Sequence, residues 1–199
     1  MFIVQLMDKI VGILLAAGSS RRFGSDKLCS VMINNEPIAV KSCRNLLAGT
    51  DKVLAVIRPG AEALAKMLEK TGASITICPD AEQGMGTSLA YAVSSLPDAY
   101  GWLVALADMP WILPATIGNV SKAIRTGAKI AAPFWQGQRG HPVGFSSVYR
   151  PELMALTGDT GAKKLLEQYQ AQIQRLDCYD PGVTRDIDEP SDLIGQAET

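Results

Sequence analysis

Residues 10–27 read IVGILLAAGSSRRFGSDK, and this stretch decides what kind of sheet the chain builds. The apolar run 10–15 predicts a buried strand, which opens directly into a loop rich in Gly and Ser. Backbone N–H groups at the carboxyl end of such a strand form a concave surface that suits phosphate oxygens. Arg22 and Lys27 add fixed positive charge to the loop. The stretch therefore predicts a turn that binds a polyphosphate.

Two familiar phosphate-binding loops are absent from this stretch. Gly18 and Gly24 are too far apart for the G-x-G-x-x-G fingerprint, and no Gly-Lys-Ser/Thr follows to complete a Walker A motif. Loops rich in Gly and Ser are common between strands and helices. The residues alone leave two interpretations open, a phosphate-binding loop or an ordinary connection whose basic side chains are solvated.

The rest of the chain alternates apolar runs with helical patterns, and the segment 134–145 is polar, rich in Gly and less regular. This order predicts an α/β fold, a three-layer, mostly parallel twisted sheet with helices on both faces. The fully apolar run 102–106 is expected at the centre of the sheet. The predicted strands are 10–15, 53–57, 75–78, 102–106, 129–132 and an edge strand over 173–176. The predicted helices are 38–47, 61–70, 87–95, 114–125, 151–156 and 162–170.

Composition limits the classes of function. The 199 residues suffice for one domain with a sizeable core, and the formal net charge of -1 gives no general attraction to nucleic acid or to a membrane surface. The four cysteines have no C-x-x-C spacing and there is a single histidine, so a zinc site is not expected. The start of the chain is not a convincing signal peptide and no run is long enough to span a bilayer. A cytoplasmic enzyme is therefore expected.

Ligands bind a parallel sheet at the carboxyl ends of its strands. This rule places the Gly/Ser loop, the Gly84 turn and Asp108 along one crevice, since each follows a predicted strand. Asp108 offers a hard oxygen ligand for Mg²⁺, which usually takes one or two carboxylates with waters and substrate phosphates. Its position alone also fits an Asx-turn or the N-cap of a helix. Both interpretations stay open on position.

The pattern L-A-A-G-x-S-x-R-x-G-x-x-K over residues 15–27 resembles the signature of the nucleotidyltransferases that activate sugars, isoprenoid precursors and the molybdenum cofactor. Among them the chain most resembles the molybdenum cofactor cytidylyltransferases, a family of the MobA-like NTP transferase superfamily. The resemblance runs from residue 12 to about 193, nearly the whole chain. The further matching segments follow the family's order: Gly84–Leu89, Asp108–Pro110, Gly140–Val143, Gly158–Ala162 and Asp186–Asp192.

The resemblance implies a Rossmann-like nucleotidyltransferase fold in a single domain over residues 1–199. Residues 10–110 or so would form a nucleotide-binding half and residues 111–193 an acceptor-binding half. The implied reaction depends on Mg²⁺ and transfers a nucleoside monophosphate, with CTP favoured as donor, to the phosphate of molybdopterin, releasing pyrophosphate. The product would serve a molybdenum hydroxylase as client. Neither nucleic acid nor a membrane is an expected partner.

The same resemblance assigns roles to individual residues. Asp108 and Asp188 would bind Mg²⁺, and Arg22, Lys27 and Asp108 would carry catalysis, with Arg22 and Lys27 clamping the phosphates. Amides of residues 16–22 would hold the leaving pyrophosphate. The acceptor would bind at His141, Asp159 and Gly161. The implied nucleotide-binding residues are Leu15, Ala16, Ala17, Gly18, Ser19, Arg22, Lys27, Gly84, Met85, Gly86 and Ser88.

His141 is the only histidine, but the reaction needs no general base. A phosphate monoester has a second pKa of about 6 and is already a dianion at neutral pH. His141 is therefore expected to donate a hydrogen bond within the acceptor pocket, unless it is a structural turn residue. Trp135, Gln138 and Arg139 either line a polar pocket for a pterin or decorate a surface loop.

Some positions leave alternatives open. Ala17 favours the cytidylyl branch over the guanylyl branch, and Glu189 stands where the family usually has Thr. Asp192 is expected to be first-turn charge of a short helix, whereas Asp186 is either a surface acid or a neighbour of the metal. The alternative functions are transfer from GTP, transfer to a sugar or polyol phosphate, and a non-catalytic carrier of the molybdenum cofactor.

Overall fold

The computed structural model describes residues 9–18, 27–32 and 35–193. Their strands are β1 (Ile10–Leu15), β2 (Lys52–Ile57), β3 (Ser74–Ile77), β4 (Gly101–Leu106), β5 (Ile130–Trp135), β6 (Gln138–Arg139), β7 (Val143–Ser146) and β8 (Ile173–Asp177). Their α-helices are α1 (Ile38–Gly49), α2 (Glu62–Glu69), α3 (Met85–Ser94), α4 (Pro114–Arg125), α5 (Arg150–Met154) and α6 (Lys163–Gln168). Within this part of the chain, no helix is both long enough and apolar enough to cross a bilayer.

The strands form one mixed sheet in the order β3-β2-β1-β4-β7-β5-β6, and β8 also pairs with β5. β1 to β4 are parallel to one another, as are β5 and β8. β7 runs antiparallel to both β4 and β5. The prediction of a mostly parallel sheet with the 102–106 strand at its centre is confirmed.

Alternation along each strand builds two cores, one on each face of the sheet. Ile10 and Leu14 pack with apolar residues of α1, α2 and α4. Val11 and Ile13 point the other way and pack with residues of α3, α5 and α6. β1 is buried along its whole length because helices cover it on both faces. The three-layer arrangement predicted from the sequence is therefore confirmed.

The segment 134–145 is more regular than predicted. It contains the end of β5, the short β6 and the start of β7, whose residues Val143, Gly144 and Phe145 are all buried. Gly144 is required there because a Cβ would lie 2.7 Å from Cγ1 of Ile124 in α4. β7 is only four residues long and is interrupted by a glycine, so its alternation is too short to distinguish it from a loop.

Residues 178–188 form a segment that crosses the sheet's edge from the end of β8 toward the end of β4. Asp180 anchors it, because this buried carboxylate accepts hydrogen bonds from the Leu113 amide, the Thr116 hydroxyl and the Gly182 amide. Further along, the Ile187 amide donates to the Asp108 carbonyl at 3.0 Å. The segment thereby carries Asp188 to the carboxyl end of β4.

Candidate active site

A cleft of about 680 Å³ opens at the carboxyl ends of β1 to β4. Parallel strands bring the residues that follow them to one edge, so loops far apart in sequence share this space. Many residues predicted to bind nucleotide line it, and Asp159 reaches it from the second half of the chain. The lining residues are Leu15, Ala17, Gly18, Lys27, Leu28, Arg58, Pro59, Pro79, Ala81, Glu82, Gly84, Met85, Ser88, Leu106, Asp108 and Asp159.

Lys27 lies at the centre of the polar contacts in this cleft. Lys27 is only 9% exposed. Its Nζ donates to Asp108 Oδ2 at 2.9 Å and to the Ile187 carbonyl at 2.5 Å. Asp188 Oδ1 lies 3.6 Å from the same nitrogen. The two aspartates predicted to bind metal therefore converge on one ammonium group. Lys27 contacts the carboxylates here, whereas the sequence predicted contacts with phosphates.

The chemistry of the carboxylate pair, Asp108 and Asp188, is suited to a divalent cation. The Asp108 and Asp188 side chains keep 24% and 62% of their surface exposed, so both remain open to solvent, and Asp108 lines the cleft. No group of three or more His, Cys, Asp or Glu side chains that could hold a metal occurs among the described residues. Mg²⁺ is usually bound by one or two carboxylates together with phosphates and waters. Two carboxylates beside a cleft fit that requirement.

The Gly84 turn packs against the loop at residues 157–161. Gly84 has φ +116°, and a Cβ there would collide with the carboxylate of Asp159. The Gly86 amide donates to the Gly158 carbonyl at 2.7 Å, and Gly161, with φ +52°, lies against the Met85 side chain. These contacts bring Asp159, predicted to bind acceptor, to the edge of the nucleotide loop. Gly86 and Gly161 are buried and serve this packing.

Two backbone amides among the predicted nucleotide-binding residues already donate within the protein. The Ala16 amide donates to the Val56 carbonyl at 2.9 Å, because the pairing of β1 with β2 continues one residue past the strand. The prediction that this amide holds pyrophosphate is therefore wrong. The Gly86 amide is likewise used within the protein. Ser19 and Arg22 lie outside the described residues, so their predicted roles stay predictions.

His141 lies beside the cleft rather than in its lining. Its amide donates to the Val183 carbonyl at 2.8 Å, and its ring Nδ1 lies 3.5 Å from the Val104 carbonyl. Burial lowers the pKa of His141 below its ordinary value, with smaller opposing influences from the Val104 carbonyl and Asp108, and a further lowering by Arg139. The imidazole is therefore neutral at pH 7, which leaves its ring N–H able to donate a hydrogen bond.

The acidic residues around Asp188 have distinct environments. Asp192 accepts from the Asp188 amide at 2.9 Å and the Glu189 amide at 2.8 Å, and these bonds lower its pKa. Asp192 therefore orients the backbone of Asp188, and it lies in the first turn of a short 3-10 helix over Pro190–Leu193. Partial burial raises the pKa of Asp186, and the charges of Asp188 and Asp108 add to that effect.

Sequence reasoning missed two charged residues of the cleft, Arg58 and Glu82. Arg58 directly follows β2, and its Nη1 donates to the Gly18 carbonyl at 3.0 Å, which fixes the start of the Gly/Ser loop. Glu82 belongs to the 3-10 helix Ala81–Gln83 that comes soon after β3. The signal that could have found them is the rule that located Asp108, namely that residues following parallel strands meet at one edge.

Comparisons with known proteins agree with this geometry. The MobA-like NTP transferase domain matches residues 12–173. The purine catabolism protein PucB of Bacillus subtilis is 31% identical over 94% of this chain and 97% of its own. Nicotine blue oxidoreductase of Paenarthrobacter nicotinovorans is 26% identical over 90% and 92%. A probable molybdenum cofactor guanylyltransferase of Thermococcus gammatolerans is 29% identical over 72% and 73%.

Solved structures give the same fold. Rv0371c of Mycobacterium tuberculosis superposes with a TM-score of 0.80 at 26% identity, over 92% of this chain and 95% of that one. A structure of the same protein in complex with manganese superposes with a TM-score of 0.72 at 23% identity, over 85% and 88%.

Proposed function

Because this chain belongs to the MobA-like NTP transferase family and is a nucleotidyltransferase of that family, we propose that it transfers a nucleoside monophosphate to the phosphate of molybdopterin. The donor is a nucleoside triphosphate, with CTP favoured, and pyrophosphate leaves. The observation that carries the proposal is the convergence of Asp108 and Asp188 on Lys27 beside the cleft. A pure carrier protein has no need of two carboxylates and a cation at one point.

The proposed step is an in-line displacement at the α-phosphorus. An oxygen of the acceptor phosphate forms the new P–O bond while the bond from the α-phosphorus to the bridging oxygen of pyrophosphate breaks. The acceptor phosphate is a dianion at neutral pH, so no proton has to be removed. The neutral state of His141 is consistent with this, because the imidazole then serves as a donor rather than as a base.

The protein's contribution is placement and charge. Mg²⁺ bound by Asp108 and Asp188 would supply positive charge beside the phosphates. Lys27 holds the two carboxylates together and adds an ammonium at the same corner of the cleft. Arg58 fixes the Gly18 end of the Gly/Ser loop. Such fixed charges lower the barrier because they need no rearrangement when negative charge develops.

The choice of donor and acceptor draws on different support. The resemblance of the 15–27 pattern to the cytidylyl branch, with Ala17 in the cleft lining, favours CTP. A relative from Thermococcus gammatolerans carries the name of a probable molybdenum cofactor guanylyltransferase, which favours a molybdopterin acceptor and makes GTP the donor to test beside CTP. A molybdenum hydroxylase is the proposed client of the product.

Pyrophosphate release tests the proposal directly. The purified protein with Mg²⁺ is given CTP or GTP, each with and without molybdopterin. We expect release only when molybdopterin is present, and faster release with CTP. Release with GTP and molybdopterin, but not with CTP and molybdopterin, would make GTP the donor. Release with sugar phosphates but not with molybdopterin would make a sugar phosphate the acceptor. Binding of molybdopterin without release from either triphosphate would favour a non-catalytic carrier.

Asp108→Asn tests the proposed metal ligand within the same assay. We expect pyrophosphate release to fall by about a thousandfold, because the amide loses the negative charge that Mg²⁺ requires. Folding should persist, since the asparagine carbonyl can still accept from Lys27. The matched control is Asp98→Asn, an exposed carboxylate before β4 at the opposite end of the sheet. Near-normal turnover in Asp108→Asn would remove this residue from the mechanism.

A further inference from the structure

The sheet continues the floor of the cleft toward β5. Trp102 of β4 and Ile130 of β5 lie opposite the same residue, Phe145 of β7. Counting along the two strands, which point the same way, places Phe134 level with Leu106. Leu106 lines the cleft. Since β5 is two strand spacings from β4, Phe134 lies about 10 Å across the sheet from Leu106.

His141 lies between Leu106 and Phe134 across the sheet. It comes two residues before β7, the strand that separates β4 from β5, and its ring lies 3.5 Å from the Val104 carbonyl. In the register of the sheet, Phe145 in β7 faces both Trp102 and Ile130, so counting back four residues places His141 level with Leu106 and Phe134. The row from β4 to β5 at the carboxyl edge of the sheet therefore passes through His141.

Two arginines are neighbours of Phe134 at the carboxyl end of β5. Arg139 lies directly opposite Phe134 in the β5–β6 ladder, so both side chains share one face. The guanidinium carbon of Arg175, in β8, lies 4.5 Å from the centroid of the Phe134 ring. Both arginines are exposed. Asp177 accepts one bond from Arg175 Nε at 2.7 Å, so the formal charges of Arg139, Arg175 and Asp177 sum to a net positive charge.

We propose that Arg139 and Arg175 form an anion-binding subsite for the acceptor, at the end remote from the phosphate that reacts. The inference rests on the proposed function, which it deepens by naming the charge that the acceptor must carry. Guanidinium groups bind phosphate, carboxylate and other oxyanions through paired N–H donors. Phe134 holds the Arg175 guanidinium in place from one side. The subsite selects acceptors that carry a second negative group remote from the reacting one.

The test compares Arg139→Gln, Arg175→Gln and the double variant with wild type. Each single change should raise the KM for molybdopterin about tenfold, because one charge-assisted contact is lost. The KM for the nucleotide and kcat should not change, since the contact is the same in the ground and transition states. Lys66→Gln on the exposed side of α2, near the other edge of the sheet, is the matched control for loss of one positive charge.

Further variants separate binding from folding. Arg175→Lys keeps the charge but loses the paired N–H donors, so the KM for molybdopterin should rise less than in Arg175→Gln. Binding of molybdopterin to the metal-free protein, followed by tryptophan fluorescence, gives a readout that does not depend on turnover. An unchanged KM and unchanged binding in the double variant would overturn the subsite while leaving the proposed function intact. Absence of pyrophosphate release by wild type with molybdopterin and either triphosphate would overturn both.

Discussion

Lys27 stabilises two carboxylates, those of Asp108 and Asp188, whose negative charges would otherwise repel each other. Asp108 and Asp188 come from positions 80 residues apart, and both lie within 3.6 Å of its ammonium nitrogen. The Ile187 carbonyl takes a further N–H of the same group. An ammonium that is largely buried needs several acceptors, and this site supplies them from two separate segments.

Lys27→Gln should destabilise the protein in metal-free buffer. The two carboxylates lose their shared counter-ion, and because both keep some solvent contact we expect a loss of about 2 kcal/mol, between surface and buried ion pairs. For a chain of this length that lowers Tm by roughly 4–8 °C. Mg²⁺ or Mn²⁺ should raise the Tm of the variant more than that of wild type. Equal Tm values, and equal responses to metal, would contradict this; Lys66→Gln is again the control.

His141 should give the protein a pH-dependent stability. Its pKa is lowered in the folded state from an ordinary value of 6.5, so below pH 6.5 the unfolded chain takes up a proton that the folded chain refuses. The contribution of His141 to the free energy of unfolding is complete above pH 6.5. It is lost as the pH falls toward the lowered pKa, and the free energy of unfolding then decreases by up to about 1.4 kcal/mol per pH unit. Urea unfolding from pH 7.5 to 5.0 should show this slope in wild type and not in His141→Gln.

At this scale, the sequence predicts which residues reach the cleft better than what they contact there. Asp108 and Gly84 line the cleft as predicted, because each follows a strand, and the same rule extends to Arg58 and Glu82. The contact of Lys27 with Asp108 spans 81 positions, and no local pattern encodes it. The contact of Lys27 with the Ile187 carbonyl spans 160 positions and depends on how the segment 178–188 crosses the sheet.

Among the elements, the 178–188 segment is the one that completes the site. It is irregular apart from a short 3-10 helix over Pro181–Thr184, so its course depends on a few hydrogen bonds rather than on a ladder. Asp180 supplies the anchor at the start of α4, and Ile187, fully buried, supplies the anchor beside Asp108. Asp180 has no distinguishing sequence pattern, whereas Ile187 is the apolar residue between two aspartates and is the one that is buried.

Asp180→Ala should therefore affect both stability and metal binding. Three donors lose their shared acceptor in a buried position, which is expected to cost about 2–4 kcal/mol. Asp180→Asn keeps one carbonyl oxygen and should lose less. Because this segment carries Asp188, the rise in Tm on adding Mn²⁺ should shrink in Asp180→Ala. Asp98→Ala, a change at an exposed carboxylate, is the control, and a Tm within 1–2 °C of wild type for Asp180→Ala would contradict the anchor role.

β7 illustrates what limits prediction at the level of elements. Its direction, antiparallel to both neighbours, cannot be obtained from residue periodicity, because a buried strand looks the same in either direction. Its Gly144 is required by the close approach of Ile124 from α4, a contact that the local sequence does not show. The alternation of strands and helices nevertheless sufficed to predict the three layers.

In the whole molecule, one sheet joins the two proposed halves. β4 pairs with β1 along its length and with β7 on its other side, so backbone hydrogen bonds cross from residues before 110 to residues after it. Both cores also take residues from each half of the chain. The proposed nucleotide and acceptor regions thus share their support.

Unfolding should accordingly occur in a single cooperative transition. We expect a calorimetric enthalpy equal to the van't Hoff enthalpy, and the same urea midpoint by circular dichroism and by tryptophan fluorescence. Trp102 in β4 and Trp135 in β5 report on the two regions. Two resolved transitions, one for each region, would contradict the shared sheet as the source of stability.

The contact between Lys27 and the Ile187 carbonyl has a consequence for biosynthesis. As the polypeptide emerges from the ribosome, β1 to β4 can assemble long before residue 187 has been translated, since every partner in that part of the sheet is already present. The nascent protein would then possess a nucleotide cleft but only one of its two converging aspartates. Competence for the reaction would be acquired late in translation, which keeps a half-made enzyme from consuming triphosphate.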